Sequence, residues 1–163
     1  MTPQTDTAEF DLTHHHALAR IAHVALQVGA VLAQSGASVR VVHEGARLVT
    51  SGLGAEVLGM RSGYASFEIT VAMGPLTTTR MMQIGPHGVN HRLDFSVRDL
   101  AVRASRGGMT PEEISAEQHA VADLFPVEVP REVGSREQST RLYPEHESEP
   151  RAVGAAAGGV PAE

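Results

Sequence analysis

Apolar residues recur along this chain in two rhythms, and the change from one to the other divides it into elements. Over residues 13–34 they fall three and four apart (Leu18, Ile21, Ala25, Val28, Leu32), which predicts a helix with a buried stripe. Gly36 can close that helix in the left-handed conformation. Ser38 stands where an N-cap belongs, ahead of a second helix over 39–51 with Val42, Leu48 and Val49 inward. Gly52 and Gly54 end it.

The rhythm then shortens to two. In "ASFEITVAM", residues 65–73, Phe67, Ile69, Val71 and Met73 face one way and Ser66, Glu68 and Thr70 the other, the pattern of a half-buried strand. "AEVLGM" at 55–60 can pair with it through a turn at 61–63. Gly74 and Pro75 turn the chain into a third strand, "LTTTRMMQI", at 76–84. Pro75 sits in the turn and costs the ladder nothing. Three adjacent strands joined this way predict an antiparallel meander.

Helical spacing returns over 91–106, where Leu93, Val97, Leu100 and Ala104 share a face and Arg92, Asp99, Arg103 and Arg106 lie on another. Asp99 and Arg103 are four apart and can pair. Gly107 and Gly108 stop this helix. "TPEE" starts a fourth one, with Thr110 as cap, Pro111 in the first turn and Glu113 completing a capping box; Ile114, Val121 and Leu124 are its expected buried positions. The expected fold is α+β, with two N-terminal helices, a three-stranded antiparallel meander and two C-terminal helices. Residues 1–12 read as a polar leader, 13–125 as the domain, and 126–163 as a disordered tail that holds five of the nine prolines and few large apolar residues.

Composition narrows the functions this fold could carry. There is no cysteine, so no disulfide, thiolate metal site or cysteine nucleophile exists. All 13 cationic side chains are arginine, and the net charge of −6 comes from the two ends, because acids and arginines balance over residues 12–125. A neutral body lacks the positive surface that phosphate-backbone binding needs, so nucleic acid is not an expected partner. The most apolar stretch, residues 17–33, is shorter than the roughly 20 residues of a spanning helix. It is interrupted by Arg20, His23 and Gln27 and reads as a core helix.

Few motifs suggest chemistry. The three rings of "HHH" at 14–16 diverge by about 100° per residue on a helix. His87 and His91 are separated by a turn, with no acidic third ligand beside them, and no metal site is expected. "GLGAEVLG" at 52–59 has the wrong glycine spacing for a phosphate loop and precedes a strand. No nucleophile elbow or Walker-type loop is present, so no catalytic residue, enzymatic activity or cofactor is expected. "GPHGVNHRL" at 85–93 is the exception. Pro86 stiffens the exit from the third strand, Gly88 permits a positive φ, and Asn90 can cap the third helix. A helix start with Arg80, His87 and Arg92 nearby also suits a carboxylate. Arg80, His87, Gly88 and Asn90 are therefore the candidate ligand-binding residues.

"SGAS" at 35–38 after a long apolar helix, the alternating strands, "TTTR" ending at Arg80 and "GVN" at 88–90 before a helix occur here in that order. In this order the chain resembles the N-terminal cytosolic domain of the threonine/serine exporter family, and the related small subunit of the two-component succinate exporter. The resemblance covers about residues 14–125. It implies export of small amino acids or dicarboxylates through membrane helices that follow the domain; here a polar segment follows instead. The implied role is an accessory or truncated transport component, cytoplasmic or held at the cytosolic face of the inner membrane by a membrane transporter subunit. A small amino acid or dicarboxylate is the implied ligand. The alternative is a free-standing domain with an enzymatic activity on such a metabolite.

Overall fold

The structure, a computed structural model, describes residues 5–128, with side chains from Leu12 onward. The chain runs α1 (Thr5–Gln34), α2 (Val39–Gly52), β1 (Glu56–Ser62), β2 (Ser66–Met73), β3 (Leu76–Gln83), α3 (His91–Ser105) and α4 (Pro111–Leu124). The expected α+β order is present throughout. The three strands form one antiparallel sheet in the order β1-β2-β3.

Helix α1 is the organising element. It packs against α2, α3, α4, β2 and β3. A helix touched on so many sides must be apolar nearly all round. Leu18, Ala22, Ala25, Val28 and Leu32 are fully buried in it. Leu12–Gln34 is long and apolar enough to cross a membrane, but 61% of its most apolar window is buried inside the fold, so it serves as the core helix. Gly29 allows the closest contact: a β-carbon there would lie 2.4 Å from Phe67 Cε1, so the helix rests directly on that ring.

Beneath α1, Phe67, Ile69 and Val71 of β2 are each 0% exposed, while Glu68 and Thr70 are partly accessible on the other face. The alternation sets both faces as expected. On the outer face the Thr70 and Thr79 hydroxyls meet at 2.9 Å across the β2–β3 pair. The register of β1 slips between Val57 and Gly59, which leaves Leu58 as the extra residue, turned out to solvent.

Several local expectations need correction. Helix α1 is already formed at Thr5, the first described residue, so most of the supposed leader is helical. A polar composition hides a helix by removing the apolar period; it does not prevent one. Strand β1 runs on to Ser62 and its turn falls at 63–65. Ser38 occupies the N-cap position of α2, but its side chain makes no capping hydrogen bond. On α4, Ile114 is buried and Val121 packs against the core, but Leu124 is exposed and Gln118 is the second buried position. Gln118 Oε1 has no protein partner. The ordered body also continues past Phe125, because Val127 packs against the core. The disorder expected beyond that falls on residues outside those described.

Candidate functional site

The loop between β3 and α3, residues 84–90, is held almost entirely by backbone. Ile84 N–H donates to Ala65 O at 2.8 Å, Gly88 N–H to Gln34 O at 2.9 Å, and Asn90 N–H to Ser35 O at 3.0 Å. The loop is therefore bonded to the α1–α2 corner. That corner is tightly wound: Gly36 has φ +88°, and Ser35 is buried with its hydroxyl donating to Leu32 O at 2.7 Å. A β-carbon on Gly36 would come within 2.9 Å of Gly88 O. "SGAS" and "GVN", fifty residues apart in sequence, are thus the two sides of one contact.

Asn90 completes the joint. Its Oδ1 accepts from Leu93 N–H at 3.0 Å and caps α3, as expected. Its Nδ2 donates to Phe125 O at 3.1 Å and Pro126 O at 3.0 Å, which ties down the segment leaving α4. Gly88 does not adopt the positive φ expected of it. Its lack of a side chain matters for space: a β-carbon would lie 2.5 Å from Val127 Cγ1 and 2.8 Å from Glu128 O.

Of the four candidate ligand contacts, Gly88 and Asn90 stand together in this joint with their donors already used. His87 lies beside it. Its ring is 5.9 Å from that of Tyr64, tilted by 30°, at a shallow groove of about 360 Å³ that also involves Ala65, Ile84, Gly85 and Pro86. Arg80 is apart from this groove. It is exposed in mid-β3, opposite Ile69 on the neighbouring strand.

Two further grooves were not legible from sequence because each is shared by helices distant in the chain. One, of about 420 Å³, lies between α2 and α3, with Val41, Leu48 and Val102 on its walls and Arg40, Glu44 and Arg98 around it. Arg98 is held by Asp94 at 2.9 Å and Glu44 by Arg47 at 3.2 Å, so among the described residues Arg40 is the cation left over there. The other, about 340 Å³, lies between α1 and α4 and is lined by Arg20, His23, Gln27, Glu112, Ser115 and His119. Arg20 pairs with Glu112, and Ser115 Oγ donates to Gln27 Oε1 at 3.0 Å. His119 Nδ1 donates to Ser115 O at 2.6 Å. Among the described residues, no three histidines or carboxylates are grouped so as to hold a metal ion.

His43, on α2, faces the sheet. Its Nε2 is 2.8 Å from Ser62 Oγ, and its ring stacks on Phe67 with centroids 5.7 Å apart. Burial, and secondarily the Arg47 charge, push its pKa below the ordinary value. Arg103 is shifted the other way, raised by hydrogen bonds to Glu117 and Asp99, an arrangement that ties α3 to α4.

A small α+β domain with its polar motifs spent on one internal joint is the class defined so far. The family model of the threonine/serine exporters (ThrE) matches residues 23–124, well over half of the 163-residue chain. The chain belongs to the threonine/serine exporter family. No curated protein and no solved structure matches it.

Proposed function

We propose that the chain is an accessory component of a threonine/serine-exporter-type transport system. In this reading it works at the cytosolic face of the inner membrane, through a partner that supplies the membrane-spanning part. Family membership supports the transport connection. The observation that carries the accessory role is the burial of α1: the helix apolar enough to span a membrane is the one on which the rest of the fold packs. Extracting it would expose the inner face of the sheet and the buried sides of three helices.

Efflux from preloaded cells tests this reading. Deleting the gene in its native host should slow the loss of labelled threonine, serine or succinate, and a plasmid copy should restore it. Unchanged efflux of all three would remove the transport role.

A small carboxylate held near the 84–90 loop is a second part of the same reading. His87 is the candidate contact that stays at the loop, because the Gly88 N–H and both ends of the Asn90 amide are already bonded within the protein and Arg80 lies apart in mid-β3. Titration calorimetry of the full chain with each of the three compounds should show heat that His87→Ala diminishes and Arg80→Ala leaves unchanged. No heat at millimolar concentration would rule the site out.

A further inference from the structure

Asn90 does two unlike things with one amide group. The oxygen serves the helix that follows it, and the nitrogen serves a stretch 35 and 36 residues further on. Capping alone needs only the oxygen, and serine or aspartate would do it equally well. The nitrogen has a different use. Past Leu124 the chain is no longer helical, and the carbonyls of Phe125 and Pro126 receive the two Nδ2 protons. Immediately afterwards Val127 and Glu128 lie over Gly88, the position where any side chain would push them away. An amide nitrogen and a bare backbone position thus act on four consecutive residues.

We propose that residues 125–128 form a strap latched by Asn90 across the Gly88 position, so that the 84–90 loop sets the direction in which the chain leaves the domain. The latch is coupled to the α1–α2 corner, since the residues that hold the strap are themselves held by Gln34 O and Ser35 O. Any partner that competes for the Asn90 amide, or shifts the corner, releases the strap without unfolding a helix. The inference rests on these contacts alone and stands whether or not the transport role does.

Asn90→Asp separates the two functions, because aspartate keeps the capping oxygen and has no N–H to donate. The 163-residue chain contains no cysteine, so Val127→Cys in it provides a single reactive thiol on the strap. Alkylation of that thiol by iodoacetamide should be slow when Asn90 is present. In the Asn90→Asp background it should be faster by about tenfold, the factor that accompanies loss of two neutral hydrogen bonds in a local opening equilibrium. Amide exchange at Leu93 should stay protected in both backgrounds, since the cap persists. Gly88→Ala, with Asn90 intact, should also raise the alkylation rate, because its β-carbon takes the space of Val127. Equal alkylation rates with Asn90 and with Asp would overturn the latch, since packing at position 127 would then suffice to hold the strap. Loss of Leu93 protection alongside faster alkylation would overturn it too, because the strap would be following the helix.

Discussion

The inner face of the sheet and the 84–90 joint hold the molecule together by opposite means. Under α1 the contacts are apolar and nearly continuous, with Phe67, Ile69 and Val71 closed off from solvent and the Phe67 ring against Gly29. At the joint the work falls to three backbone donors, one asparagine and two glycines. The first region derives its strength from area removed from water. The second contributes little area and instead specifies which segments meet. A cluster of Gly, His and Asn in a connection looks like a binding site in sequence for a simple reason. The same small and polar groups that could bind a ligand can bind backbone.

The largest test of that contrast is Phe67→Ala. It empties the space under α1 and should cost about 3–5 kcal/mol in urea denaturation. It should also make Gly29→Ala tolerable, since the ring 2.4 Å from the added β-carbon is gone. Independent, additive costs would show that α1 does not rest on that ring. At the joint, Gly36→Val combines a disfavoured φ with a contact at 2.9 Å to Gly88 O. Its expected cost is about 1–3 kcal/mol. A cost equal to that of Phe67→Ala would erase the distinction between the two regions. Asn90→Ala should come next, at about 0.5–2 kcal/mol from the lost cap.

The His43 ring lies on the sheet side of the comparison and makes it pH-dependent. Its folded pKa is depressed, so the folded state disfavours the charged ring. Its contribution is therefore fully present above the unfolded value of about 6.5 and is lost as pH falls below it. Denaturation midpoints should drop between neutral and mildly acidic pH, and His43→Gln should flatten that part of the profile. An unaltered slope in the variant would assign the loss to other groups.

Periodicity carried most of this fold. The stripe on α1, the alternation of β2 and the capping box of α4 each follow from spacing that sequence displays directly. What failed did so for identifiable reasons. Leu124 falls in register with Ile114 and Val121, yet the helix ends there and the core takes Phe125 and Val127 instead. In sequence Gly88 suggests a φ requirement, whereas the constraint is steric and comes from residues 39 and 40 positions away. The joint itself is half legible: "SGAS" and "GVN" both stand out in sequence, but only folding brings Gly36 so close to Gly88 O that a β-carbon would not fit between them. The two helix–helix grooves had no local signal at all.

The smallest expected effect discriminates most finely, because it compares like with like. Ser38, Asn90 and Thr110 all precede helices and all hold extended backbone at the N-cap position. Asn90 accepts from Leu93 N–H, and Thr110 forms a full capping box with Glu113, whose carboxyl is held below its usual pKa by the Thr110 backbone N–H. Ser38 makes no such bond; its carbonyl takes Val41 and Val42 N–H, which any residue could do. Ser38→Ala should therefore change stability by less than about 0.5 kcal/mol, the range of substitutions away from special features. Asn90→Ala, measured in the same denaturant series, should exceed it clearly. If Ser38→Ala matched the roughly 1 kcal/mol typical of a lost cap, the serine hydroxyl would be bonding the start of α2. "SGAS" would then be a capping motif as well as one side of the joint.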